Sequence, residues 1–508
     1  MNTYLLSILI FLPLLAGLGV LAIPAAKSQI AKTVSLLVAS ITLLISLYIW
    51  FQMDPSKGFQ LIEKAPWIPF LGIEYHVGVD GISLFLMILG ALFSVLAMAY
   101  AWHHPDEAIS QQAGRFFGLI LVFESGILGT VLSLNLFQFY LFWELMLIPM
   151  YFLIGIWGGP NRMKAVTKFV VYTMVGSLVL LLSILYLSVQ YQALTGKWSF
   201  DLMMLRQTQL PATPLVDLLF FGFALAFLIK LPLFPLHTWL PDTYCEAPPV
   251  VTFLLSGVMA KMGVYGLIRI PATLFPDAMM RWAPVLGFLA LIGIIYGAIL
   301  ALGQDQIKRL IAYSSVSHLG LIALGVFSWN ATSLEGVVYH MVNHAVATGG
   351  LFLLAGLLEQ KGISKISQLG GFASQSPAYA VLFLLMTFSS IGVPGLNGFI
   401  GEFLILMGIS AHSVLYAMGA ALTLILSAAY MLWLTQRILF GESTGFQEKL
   451  HFNKGQLAAL VPLSVLAIVM GLYTQPFTRQ ISPAVQQNLT QPGPQHASES
   501  VRAMDQRA

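Results

Sequence analysis

Apolar residues run along most of the chain in blocks of roughly 20, parted by short polar connections. A block of about that length crosses a bilayer as an α-helix rising 1.5 Å per residue. The blocks predict spans over 4–23, 33–51, 82–102, 116–134, 136–157, 169–189 and 214–240 in the first half. They continue over 250–270, 283–303, 310–327, 334–357, 378–410, 413–437 and 456–474. The expectation is an all-α polytopic membrane protein of about fourteen helices. The N-terminal block has no basic residues ahead of it and is long for a cleaved leader, so it reads as a retained first span.

Two blocks are over-long and interrupted: 214–240 by Pro232 and Pro235, and 378–410 by Gly392, Pro394, Gly395 and Gly398. Both read as broken helices. Unwound backbone at membrane depth survives only where protein or a cavity satisfies it. Breaks at matching places in two halves point to inverted repeats around a transport site, with two independent kinks as the alternative. The chain accordingly divides into 1–112, three helices and an amphipathic loop; 113–270 and 283–440, two halves of five helices each; and 441–508, a last helix and a polar tail.

Composition agrees with the pattern. Lys and Arg number 24 and Asp and Glu 21, so 45 of 508 residues are charged, 9%, where a soluble chain carries roughly 25%. The net charge of +3 is dispersed, which excludes a nucleic-acid surface. The single cysteine, Cys245, cannot form an internal disulfide or hold an iron–sulfur cluster or a Cys-rich zinc site. Alternate connections collect thirteen basic residues on one side and nine on the other. The richer side is expected to be cytoplasmic, and an even number of spans then puts both termini outside.

The remaining two of the 24, Lys230 and Lys261, lie inside apolar blocks, as do Glu124, Glu144 and Glu402. At roughly 2.5 to 3.5 kcal/mol each, five such groups cost on the order of 12 to 17 kcal/mol before pairing, which packing alone does not call for. Lys261 is too central in 250–270 to reach either interface and must face protein or water. Desolvation favours its neutral amine, so it can give and take a proton; the alternative is permanent pairing with a carboxylate. Lys230 ends the first part of a broken helix and Glu144 lies at similar depth, so the two are candidates for a switchable pair. Glu124 either joins them or anchors a hydrogen-bond network. His318, and His340 and His344 one turn apart, can relay protons. The i, i+4 spacing also suits a metal, but one helix offers too few ligands, and no metal site is expected. Ser256, Tyr313, Ser314, Ser315, Ser317, Asn343 and Thr348 add polar partners. Glu402 follows the second break and is read as the counterpart of Lys230. No nucleotide loop or hydrolytic constellation is present, which leaves proton movement.

The segments FWELMLIPMYFLIG, KLPLFPLHTWLPDTYCEAP, DQIKRLIAYSSVSHLG and GLNGFIGEF resemble the antiporter-like subunits of respiratory complex I, and the likeness covers about residues 1–475. Glu402 stands where the L and N types and the Mrp cation/proton antiporters usually carry lysine. The long lateral C-terminal helix of the L type is missing, so the M-type branch is the nearest resemblance. It implies a proton path from a cytoplasmic half-channel along a central polar axis to an outer half-channel. Glu144 and Lys230 would be the coupling pair, Lys261 the central carrier, His318 and His344 the bridge and Glu402 the exit group, with Glu124, His340, Ser256 and Ser317 in support. It also implies L-, N- and K-type neighbours and a peripheral redox arm, with flavin, iron–sulfur clusters and quinone held by other subunits and no cofactor here. Thr243, Cys245 and Pro249 depart from the family's usual Ala, Val and Thr, away from the titrating residues. A sodium/proton exchanger of the Mrp type is the main rival, and Glu402 argues against it. A non-pumping structural subunit would not need Lys261.

Overall fold

The computed structural model describes residues 4–103, 107–207, 214–440 and 449–490. The tail beyond 490, with Arg502 and Arg507 of the charge count, lies outside the described residues. Helices α1 (Leu5–Leu21) and α2 (Ser28–Gln52) precede a two-stranded antiparallel hairpin, β1 (Gln60–Ile68) and β2 (Ile73–Val79). Then come α3 (Gly81–Ala101), α4 (Ala113–Leu132), α5 (Leu136–Leu145), α6 (Leu147–Trp157) and α7 (Arg162–Thr195). The first broken span is α8 (Pro214–Lys230) and α9 (Trp239–Glu246), followed by α10 (Pro249–Leu254) and α11 (Ala260–Arg269) around a wide turn. The second half holds α12 (Pro276–Leu302), α13 (Ile307–Phe327), α14 (Ala331–Glu359), the broken pair α15 (Pro377–Ser390) and α16 (Asn397–Ser410), and α17 (Val414–Thr435). Helices α18 (Lys454–Leu472) and α19 (Gln475–Thr490) close the described chain.

Among the described residues, eleven helices are long and apolar enough to cross a membrane, and Leu5–Leu21, Pro377–Ser390 and Asn397–Ser410 are shorter apolar helices. They differ in what surrounds them. The apolar stretches of 249–274 and Ala331–Glu359 are wholly buried, whereas that of 414–440 is only 28% buried. A helix apolar all round can face lipid or protein; here the central ones face protein, and they carry Lys261, His340 and His344.

Both expected breaks are present, and each is held by a polar contact. The Trp239 indole N–H donates to the Ile229 carbonyl across the first break at 2.9 Å. Across the second, Ser389 Oγ donates to Asn397 Oδ1 at 2.6 Å. A further interruption at Met146 divides the span 136–157. Pro149 explains it, because it has no N–H to return to the Leu145 carbonyl.

The hairpin is the departure from an all-helical chain. Glu63 on β1 accepts from the backbone N–H groups of Leu6 at 2.7 Å and Ser7 at 3.0 Å, capping the N-terminus of α1 with a carboxylate. The tail departs as well: Phe477, Ile481, Ala484, Val485 and Asn488 fall on one face of α19, which packs against α3 and α14. Its opposite face is polar, which is why composition alone conceals a helix there.

Ionic contacts gather at two ends. One end has Lys168 and Arg309 on Asp242, Lys308 on Glu359 and Arg437 on Asp305. The other has Arg269 on Asp80, Arg281 on Asp217 and Lys64 with His76 on Asp201. These are the alternate connections that the basic residues distinguished, so the helices run back and forth as the apolar blocks imply.

Candidate functional site

Lys261 of the first half and four ionisable side chains of the second form a row through the centre of the bundle. Lys261 is fully buried on α11. The turn before it, Leu255–Met259, is a π-turn in which the Ala260 N–H reaches back to the Leu255 carbonyl. Such turns recur at functional sites because they displace backbone groups. Here the Ser256 carbonyl accepts from the Lys261 ammonium. The Lys261 nitrogen also lies 2.8 Å from His344 Nδ1.

From His344 the row continues through rings. The His344 and His318 ring centres are 5.8 Å apart, and those of His318 and His340 5.9 Å. His318 Nδ1 is 3.3 Å from Glu402 Oε1, and His340 Nε2 is 3.9 Å from the same oxygen. A small cavity lined by His318, His340, Asn343, His344, Ser389 and Ser390 opens beside them. All five ionisable groups are buried, so their exchangeable protons are held away from bulk water.

Lys230 and Glu402 are not equivalent in sequence position. Lys230 is the last residue of α8, whereas Glu402 is the sixth residue of α16, beyond its break. In space the difference shrinks, because the Glu402 carboxylate reaches back to the break. A Cβ on Gly392 would come within 2.4 Å of Glu402 Oε2, and Gly392 has φ +69°. Only glycine serves there, for room and for backbone conformation.

The first half is less connected. Lys230 is buried, with its ammonium 3.6 Å from the centre of the Trp143 ring. Among the described residues it makes no direct ion pair; its ammonium rests on the aromatic face of Trp143, while Glu144, the next residue, acts on it through its charge. Glu144 is only half-buried. Glu124 is fully buried, yet neither of its oxygens has a hydrogen-bond partner among the described residues, so it anchors no network there. Gly263 lets α11 sit directly on the end of α8, where a Cβ would meet the Leu231 nitrogen at 2.6 Å.

The supporting residues sort themselves by geometry. Ser256 contributes its carbonyl rather than its hydroxyl, which faces the Phe253 carbonyl. Ser317 Oγ donates to the Ile294 carbonyl and ties α13 to α12. Asn343 donates to the Asn397 carbonyl at 2.6 Å, linking the histidine helix to the second break. Tyr430, which sequence reasoning passed over, is fully buried; its hydroxyl is 2.9 Å from Ser314 Oγ and 3.5 Å from His318 Nε2. A lone tyrosine in the apolar run LTLILSAAYMLWL was the available signal.

A buried row of amine, imidazoles and carboxylate between two broken helices defines a membrane-embedded subunit of the ion-translocating, antiporter-like class. Residues 133–432 match the family model described as NADH:quinone oxidoreductase/Mrp antiporter, transmembrane, and the chain belongs to that family. It is a multi-pass membrane protein. NADH-quinone oxidoreductase subunit M of Rickettsia prowazekii is 37% identical over 477 residues, covering 92% of this chain and 95% of that one. A chain of respiratory complex I from Thermus thermophilus with bound NADH superposes with a TM-score of 0.85 at 33% identity, over 95% of this chain and 99% of that one. A chain of the Mrp complex from a Dietzia species has a TM-score of 0.86 at 22% identity, over 96% and 98%, and shares the fold.

Proposed function

We propose that this chain is the M-type membrane subunit of a proton-translocating NADH:quinone oxidoreductase. It contributes ion translocation to the enzyme and no redox centre of its own. The observation that carries the reading is the row Lys261, His344, His318, Glu402 at the middle of the bundle. A protonated Lys261 faces a His344 nitrogen that can accept, and imidazole can pass on a proton from its other nitrogen. A water in the cavity between the rings completes the step to His318, which stands against Glu402. Glu402 is the exit-side group.

Entry belongs to the first half, 113–270, with Lys230, Trp143 and Glu144 holding a movable charge and Glu124 beside them. At the basic end two adjoining cavities, each about 820 Å³, share Asn161, Cys245, Glu246 and Gln306 in their walls and provide a wet approach. That end is cytoplasmic and both termini are outside, in an energy-converting membrane. The second half, 283–440, carries the exit, within a bundle of fourteen spans. L-, N- and K-type subunits flank the chain, and the peripheral arm holds flavin, iron–sulfur clusters and quinone.

The test is to purify the complex through an affinity tag on this chain and identify its companions, then measure NADH-driven acidification in reconstituted vesicles. Co-purification of flavin- and iron–sulfur-bearing subunits with coupled acidification is the expected result. Recovery with only cation-antiporter subunits, and sodium-dependent acidification, would transfer the chain to the Mrp class.

A further inference from the structure

We propose that His318, His340 and Glu402 form a binding site for a borderline divalent transition-metal ion such as Zn²⁺. The expectation of no metal rested on the ligands of one helix, and the fold brings in two more helices. The three donors come from α13, α14 and α16, and their ligand atoms all lie within 4.8 Å of one another. Zinc holds nitrogen and carboxylate oxygen at about 2.0–2.2 Å in a tetrahedron, which sets neighbouring donors roughly 3.3–3.5 Å apart. The His318–Glu402 separation of 3.3 Å already fits, His340 at 3.9 Å from the same oxygen must draw closer, and the donors, all within 4.8 Å of one another, tighten around the ion as it binds.

The donors are also free to bind. His318 Nδ1, both nitrogens of His340 and both oxygens of Glu402 are buried without hydrogen-bond partners among the described residues. Buried polar atoms left this way are costly, so the site favours whatever supplies a proton or a cation. The outer support is present on one ligand, because the Tyr430 hydroxyl faces His318 Nε2 and is itself held by Ser314. The cavity flanked by Asn343 and His344 leaves a fourth position open. Two imidazoles and one carboxylate, with no thiolate, select against soft ions; the shortage of oxygens selects against Mg²⁺ and Ca²⁺.

A bound ion occupies the lone pairs that the proposed relay uses, so zinc and protons compete. In that respect the inference rests on the relay, although the binding itself does not. The experiment uses the purified complex, stripped with chelator and titrated with zinc chloride. Bound zinc is measured by mass spectrometry after desalting, its neighbours by X-ray absorption, and acidification is followed in vesicles. The expected result is a zinc with nitrogen and oxygen neighbours including two imidazoles, and loss of acidification as it fills. His340→Gln should weaken binding at least tenfold. Tyr430→Phe, which keeps all three ligands, should weaken it about tenfold if His340→Gln does not assemble.

Equal zinc uptake by native protein and a His318→Gln/His340→Gln variant would overturn the site, as would a native spectrum lacking paired imidazoles. Neither outcome touches the relay. Zinc bound by those two imidazoles with acidification undiminished would confirm the site and remove His318 from the proton path.

Discussion

Lys261 and His344, 83 residues apart in sequence, stand 2.8 Å from each other at the centre of the bundle, one on each half of the chain. The contact sets an amine nitrogen directly against an imidazole nitrogen, and the tautomer of the ring decides which of them donates. It is the only place among the described residues where a lysine of one half touches a histidine of the other.

Lys261→Met keeps length and apolarity and removes the proton, so translocation and coupled quinone reduction should both fall severely while the complex still assembles. Acidification in vesicles, at matched subunit levels, checks it. Normal pumping in an assembled variant would sink the relay.

Gly392→Ala should impair translocation although it replaces no ionisable residue. The new methyl meets the Glu402 carboxylate, and φ +69° costs an alanine about 1–2 kcal/mol. Glu402→Ala should lose pumping outright, whereas Glu402→Lys, the residue of the L and N types, should keep part of it. Native pumping by Glu402→Ala would move the exit elsewhere.

Lys230 rests on Trp143, so the ring should matter beyond its size. Trp143→Phe keeps an aromatic face and should retain most translocation; Trp143→Leu should lose it, in line with a desolvated cation–π contact of about 2 kcal/mol. Indistinguishable Phe and Leu variants would mean that the face does not hold the charge. Removing Glu144 and Lys230 together should harm less than the sum of the single changes if their charges couple.

Asp80 and Arg269 are a stability pair. Both Asp80 oxygens lie 2.6–2.7 Å from Arg269 Nη2, while Oδ1 also accepts from the Ile82 and Ser83 N–H groups at the start of α3. Asp80→Ala leaves a buried guanidinium and an uncapped helix, and should cost about 3–5 kcal/mol. Thermal unfolding of the detergent-solubilised protein measures this. A shift no larger than that of an exposed pair such as Lys57–Asp54 would refute it.

Asp201 sets an acid limit outside the spanning helices. Burial raises its carboxyl, but the His76 hydrogen bond and charge, with Lys64 and the Met203 N–H, outweigh it and hold the group at about 2. The unfolded value is about 3.9. The folded value is the lower one, so this stabilisation is complete above about pH 4 and disappears as pH falls towards 2. The unfolding temperature of the native protein should therefore fall further over that interval than that of Asp201→Asn. Parallel curves would mean that the cluster adds no stability.

Apolar length and misplaced charge were legible in the sequence because the bilayer sets both: a span needs its residue count, and Lys261 or Glu402 at mid-depth carries a cost that packing alone does not call for. The breaks were legible through Pro232 and Gly392. What stayed hidden depends on partners distant in the chain. Glu63 reads as a loop residue until Leu6 and Ser7 are placed against it. Ser317 and Ser314 look alike in SSVSH, yet one holds a backbone carbonyl and the other reaches Tyr430. Trp143 adjoins Glu144 in the chain, but its role under Lys230 needs the packing of α8 against α5. The third metal donor was out of view for the same reason, since Glu402 lies 62 positions beyond His340.

The wide turn over Leu255–Met259 holds one residue more than an α-helical turn. Each residue advances a helix by about 100°, so the turn works as a phase shift between α10 and α11. Deleting a single residue, Val258 for instance, should straighten the helix instead of breaking it, and would swing Lys261 by about that angle relative to α10. The lysine's aim is thus encoded by a count of residues rather than by their identity. Aligned relatives with a one-residue gap at this turn are the ones in which the lysine should point elsewhere.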